Sequence, residues 1–131
     1  MAASGRVVSV NVARASEIEI AGRSVLTAIF KRAVADRRGV RTLGIEGDEQ
    51  ADPSVHGGPA KAVYAYPSEH YRFWQTVRAQ AGVARWDEPL APGALGENLT
   101  IENVVETDVF VGDVLRFADS PSASRGCRAS S

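Results

Sequence analysis

Residues 6–13 read Arg-Val-Val-Ser-Val-Asn-Val-Ala, so Val8, Val10 and Val12 alternate with Ser9 and Asn11. That period of two predicts a half-buried strand. Glu17-Ile18-Glu19-Ile20 alternates in the same way and runs into Gly22, a turn signal. Residues 25–35 are apolar around a Lys31-Arg32 pair, and their spacing does not decide between strand and loop. Residues 36–39 read as a turn and 40–43 as a short strand. Residues 62–66 read as a strand, after which Pro67-Ser68 opens a helix, because proline suits the first turn and serine caps. Tyr71, Trp74, Val77 and Ala81 recur at helical spacing, and Gly82 ends the run. Residues 98–101 are strand-like. Residues 109–111 and 114–117 predict a hairpin around Gly112-Asp113. Many short strands, few helices and frequent turns favour a barrel or sandwich.

Three stretches break this rhythm. Residues 44–60 hold four glycines and two prolines, which exclude a long helix or a central strand. An irregular segment of that length inside a domain is uncommon unless it is functional. Residues 86–97 form a second Pro/Gly loop. After Asp119 the chain has no large apolar residue, and five of its last twelve residues are serine, so a buried strand is not expected there.

Composition narrows the setting. The 131 residues are the size of one domain, and the hydrophobic fraction of 44% allows a core. With 15 basic and 16 acidic residues, the net charge of -1 gives no reason to expect nucleic acid or a membrane surface as a partner. No apolar run approaches the roughly 20 residues of a spanning helix, and no signal peptide is evident. Cys127 is the single cysteine. The expectation is a cytoplasmic protein acting on a small-molecule substrate.

Several constellations carry candidate chemistry. In His56-Gly57-Gly58-Pro59-Ala60-Lys61 the paired glycines allow the backbone to turn its N–H groups toward an anion, with Lys61 adding charge and His56 a donor or proton shuttle. The same spacing also suits a plain tight turn. Asp48 and Asp52 are spaced either to hold a hard cation or to bond their own loop backbone. Asn98 sits at a loop-to-strand junction, where it can donate and accept. The central aromatics Tyr64, Tyr66, Tyr71, Phe73, Trp74 and Trp86 are expected chiefly in the core. His70 is expected on the surface. Cys127 is the one candidate soft ligand.

Residues 44–74 resemble the MOSC family, the domain named after the C-terminal part of molybdenum cofactor sulfurase. The matching string runs from Gly47-Asp48-Glu49-Gln50-Ala51-Asp52 through Val55-His56-Gly57-Gly58-Pro59-Ala60-Lys61 to Tyr64-Ala65-Tyr66-Pro67, Glu69-His70-Tyr71 and Trp74. Further agreement comes at Phe30-Lys31-Arg32, at Gly93 and Gly96-Glu97-Asn98-Leu99-Thr100, and at Val111-Gly112-Asp113. The subgroup resembled is the stand-alone bacterial type associated with resistance to 6-N-hydroxylaminopurine. The resemblance implies a mainly β fold, a MOSC-type β-barrel with a few short helices. It also implies association with the molybdenum cofactor (molybdopterin), reduction of N-hydroxylated bases and compounds, and an electron-donor protein as partner. On it, His56, Gly57, Gly58, Lys61, Tyr64 and Asn98 line the cofactor pocket, and a cysteine thiolate, here Cys127, binds the metal.

The family pattern continues with a strand and a Ser-x-Pro-Arg-x-Pro-Cys segment. Here Ser124-Arg125-Gly126-Cys127 lacks both prolines. The expectation is a partial, incomplete barrel over residues 1–119 and a disordered, non-family tail over 120–131, in a chain truncated by a frameshift near Asp119. Open strand edges make a homodimer a candidate assembly. Two functional readings stand side by side: a molybdenum-dependent oxidoreductase, and a non-catalytic remnant or binding module without the metal-ligating cysteine segment. A third is an anion-binding domain for a cofactor such as pyridoxal phosphate.

Overall fold

The computed structural model describes residues 5–51, 62–110, 113–115 and 127–128. Its centre is a four-stranded sheet in the order β4-β1-β8-β7, made of β1 (Arg6–Val12), β4 (Arg32–Val34), β7 (Ala65–Pro67) and β8 (Leu99–Glu102). β1 runs antiparallel to both β4 and β8, and β7 runs parallel to β8. Val12 therefore lies opposite Arg32, Val10 opposite Leu99, and Ala65 opposite Leu99. The close of β1 and the starts of β4, β7 and β8 meet at one end of the sheet, and the loops 13–15, 28–31, 62–64 and 93–98 converge there. Arg6, Glu102 and Pro67 mark the other end.

The β1 alternation predicts the strand correctly but its inward side chains wrongly. Val8 is 42% exposed, whereas Asn11 is fully buried. The register slips between Val7 and Ser9, a β-bulge that re-aims the side chains after it. Asn11 tolerates burial because its amide donates to the Glu97 carbonyl oxygen at 3.2 Å and to Thr100 Oγ1 at 3.0 Å, and its Oδ1 accepts from Ser9 Oγ at 2.7 Å.

β2 (Ser16–Ile20) and β3 (Arg23–Thr27) form a separate hairpin across the two-residue turn Ala21-Gly22, both residues with positive φ. β5 (Val40–Arg41) and β6 (Gly44–Ile45) make a smaller one. After β7 a 3-10 turn over Ser68–His70 leads into the helix α1 (Tyr71–Gln80). Pro67 thus closes the strand rather than opening the helix, and no side chain caps the turn: the Ser68 hydroxyl bonds Glu69 instead. Helix α1 presents Tyr71 to the core, while Phe73, Trp74 and Trp86 are 61%, 37% and 74% exposed. Most of the central aromatics are therefore at the surface, not in the core.

The expected hairpin of the C-terminal part pairs differently in the structure. Phe110 and Asp113 do close a turn, with the Asp113 N–H donating to the Phe110 carbonyl at 3.0 Å and the Phe110 N–H to Asp113 Oδ2 at 2.9 Å. Yet β9 (Val114–Leu115) pairs antiparallel with β10 (Cys127–Arg128), so its described partner is not the segment before that turn. A short strand therefore follows Asp119, where the serine-rich composition gives no signal for one. Among the described residues the strands fall into four separate sheets that do not close on themselves.

Candidate functional site

Where the loops converge, the core is polar. Asn11, Glu97, Asn98 and Thr100 are all buried, and every buried side-chain nitrogen and oxygen among the described residues has a partner. Two carboxylates organise it. Asp48 follows the β6 turn, whose Gly47 has φ +89, in the region that favours glycine. Its Oδ1 accepts from Lys31 Nζ at 2.6 Å and from the Ala13 N–H at 2.9 Å, and its Oδ2 from Asn98 Nδ2 at 2.9 Å. The Lys31 and Asp48 side chains are only 8% and 5% exposed. Asp48 therefore neither waits for a cation nor caps its own loop; its partners come from three other segments.

Asn98 is the junction of this network. Besides Asp48, its Nδ2 donates to the Asn11 carbonyl at 3.3 Å, and its Oδ1 accepts the Tyr64 N–H at 3.0 Å. Its own N–H and that of Leu99 donate to the Tyr64 carbonyl. Asn98 thus locks Tyr64 to the start of β8 from both sides. The second carboxylate, Glu97, accepts the N–H groups of Gly93 and Leu95 at 3.0 Å each, the Thr100 hydroxyl at 3.0 Å and the Tyr71 hydroxyl. It fixes the 93–97 loop and ties it to α1.

Above this floor lies a groove of about 480 Å³ lined by Val12, Ala13, Arg14, Phe30, Arg32, Arg38 and Gly47, among others. Arg38 is held, with Nε on Asp36 at 3.0 Å and Nη1 on the Glu46 carbonyl at 3.3 Å. Arg14 and Arg32 are exposed, and neither guanidinium has a hydrogen bond or ion pair among the described residues. Phe30 is 61% exposed beside them. Two guanidiniums without partners among the described residues, beside an exposed aromatic ring, suit a flat ligand with an anionic group. The sequence marks Arg32 only through the Phe30-Lys31-Arg32 agreement and gives no sign that Arg14, 18 residues earlier, joins it; the Val12–Arg32 register brings them together.

Of the sequence candidates, Tyr64 and Asn98 meet at this end of the sheet. His56, Gly57, Gly58 and Lys61, like Asp52, lie outside the described residues. Tyr64 is 49% exposed. Partial burial, then the charges of Tyr66, Glu97 and Glu106, push its phenol above the ordinary tyrosine value, so it stays protonated at neutral pH. The backbone of Cys127 belongs to β10. His70 sits at the opposite end, with Nε2 2.8 Å from Glu106 Oε2 and its ring edge-on to Tyr66 at 5.7 Å. That pair holds the Glu106 carboxyl below the usual carboxylate range. Lys31, one of two lysines in the chain, is ion-paired with Asp48. Among the described residues no group of three or more His, Cys, Asp or Glu is placed to hold a metal ion, and no helix is long and apolar enough to cross a membrane.

The chain is similar in sequence and fold to several known proteins. The uncharacterized protein YflK of Bacillus subtilis (strain 168) is 38% identical over 114 residues, 87% of this chain and 48% of that protein. A protein named reductase from Gibberella moniliformis is 32% identical over 103 residues, 75% of this chain and 16% of its own length. The crystal structure of YiiM from Geobacillus stearothermophilus superposes with a TM-score of 0.54 at 32% identity, covering 85% of this chain and 45% of that one. The chain thus spans less than half the length of each. These likenesses agree with the mainly β, MOSC-type architecture and its unclosed barrel. The MOSC domain model matches residues 52–128, from the glycine-rich segment through β10, and the chain belongs to the MOSC domain family.

Proposed function

We propose that this chain binds the molybdenum cofactor and serves the reduction of N-hydroxylated bases and related small molecules. The observation that carries this reading is the groove: Arg14 and Arg32, without partners among the described residues, face a space walled by Phe30. The cofactor is a flat pterin bearing a phosphate. Guanidinium forks match phosphate oxygens, and an exposed phenyl face suits a flat ring, so the residues present fit its organic part. When bound, the group supplies two-electron chemistry at its metal.

The chain's own contribution is binding and orientation. Arg14 and Arg32 take the phosphate. Asp48, Lys31 and Asn98 hold the floor rigid beneath it. Tyr64 offers a protonated phenol at the same end of the sheet. His56, Gly57, Gly58 and Lys61 are proposed to complete the pocket, because the residues flanking that segment, Asp48 on one side and Tyr64 on the other, are both bonded to Asn98. Cys127 is proposed as the thiolate donor to the metal. The family membership and the reductase relative support the reading. Its proposed setting is the cytoplasm, with an electron-donor protein as partner.

The test is molybdenum and pterin analysis of protein purified from a host that makes the cofactor. Stoichiometric molybdenum is expected, lost in Cys127→Ala. Arg14→Ala and Arg32→Ala should each lower pterin retention about tenfold or more, since a hydrogen bond to a charged group contributes about 1.5–3 kcal/mol. Folded protein without molybdenum or pterin from such a host would sink the proposal. In that case phosphate or pyridoxal phosphate bound at Arg14 and Arg32 would mark an anion-binding module instead.

A further inference from the structure

We propose that the outer edge of β3 is a self-association edge, on which a second copy of this chain adds its own β3 antiparallel across a two-fold axis. The β2–β3 hairpin pairs with no other strand among the described residues. It carries Ile20, Val25 and Leu26 at 54%, 40% and 52% exposure. An isolated two-stranded ribbon with exposed apolar side chains is marginal in water and gains from further strands.

The two edges of the hairpin are not equivalent. Paired with itself about Ile18, β2 would set Glu17 opposite Glu19 of the second copy, twice over, and like charges directly opposite destabilise a sheet. That edge is protected against self-pairing. Paired with itself about Val25, β3 would set Val25 against Val25, Ser24 against Leu26 and Arg23 against Thr27, with no like-charge contact. Because Ile18 lies opposite Val25 within the hairpin, the resulting four-stranded sheet would carry a continuous row of Ile18, Val25, Val25 and Ile18. The register thus selects one edge and one partner, an identical chain.

The experiment is light scattering on the full chain over a concentration series, with Val25→Glu and Val25→Lys alone and mixed. Wild type is expected to approach twice 13.9 kDa as concentration rises. Each variant alone places two like charges face to face and should stay at the monomer mass. Their equimolar mixture, with Glu opposite Lys, should recover the dimer. A wild type that stays monomeric overturns the proposal. So does a dimer that neither substitution weakens, which would put the interface elsewhere. Monomeric variants whose mixture does not recover also overturn it, because Val25 would then not face its own copy.

Discussion

Asn98 Nδ2 donates to Asp48 Oδ2 at 2.9 Å, joining residues 50 apart in the chain. The bond links the loop after β6 to the start of β8, and through Lys31 and Ala13 the same carboxylate reaches the loops around β1 and β4. Four segments are thereby registered at the end of the sheet where the arginine groove opens. A polar floor of this kind specifies geometry more than it adds stability, because desolvating the charges offsets much of their attraction.

Asp48→Ala should therefore be severe. It leaves the Lys31 ammonium buried without its counter-charge, which costs about 3–5 kcal/mol. Lys31→Met combined with Asp48→Ala should recover part of that loss, since no charge is then stranded. Urea denaturation of the single and double variants measures both. Equal midpoints for Asp48→Ala and wild type would show the pair to be energetically idle.

Glu97 is held by four donors, and its two kinds of partner predict different costs. Tyr71→Phe removes one hydroxyl and leaves three donors in place, for a loss of about 1–2 kcal/mol. Glu97→Gln turns one acceptor oxygen into an NH2 group that must face either the Gly93 or the Leu95 N–H. Donor against donor in a buried site should cost more, about 2–4 kcal/mol. Thermal unfolding of the two variants ranks them, and the reverse order would contradict the network as described.

The strands and helix were legible where the chain carries a period: the valine alternation of β1, the Glu/Ile alternation of β2, the helical spacing after Tyr71. The buried face of β1 was not. Asn11 goes inside only because Thr100 and the Glu97 carbonyl, more than 80 residues away, wait for it. The spacing offers Asp48 a cation or its own loop backbone, yet its partners lie on other segments. The sequence marks Arg32 within Phe30-Lys31-Arg32, but its pairing with Arg14 is not legible, because only the β1–β4 register sets the two together. β10 was missed because a two-residue strand defined by its partner leaves no periodic trace.

At the far end of the sheet, the His70 hydrogen bond, followed by its own backbone N–H, lowers the Glu106 pKa. A carboxyl whose folded value is depressed contributes stability that is fully present above its unfolded value, near 4.5, and lost as pH falls through the folded one. The melting temperature of wild type should therefore fall more steeply below about pH 4.5 than that of His70→Ala, where this coupling is gone. Both groups are partly exposed, so added salt should shrink the difference. Parallel acid limbs for the two proteins would rule the coupling out.

The turn of the β2–β3 hairpin offers a gain rather than a loss. Ala21 has φ 50 and Gly22 φ 78, so both central residues adopt left-handed backbone, as a type I′ turn requires. Gly22 does so freely. Ala21 does not, because its Cβ crowds the following carbonyl, at a cost of about 1–2 kcal/mol. Asparagine is the non-glycine residue best suited to that conformation, and Asn-Gly is the strongest pair for this turn. Ala21→Asn should stabilise the hairpin by about 1 kcal/mol, which corresponds to about fivefold slower amide exchange if the hairpin opens locally. Hydrogen exchange of the Ile18 and Val25 amides, against those of β8 as an internal standard, reads the effect where it arises. Unchanged protection in the hairpin would mean that the turn does not limit its opening.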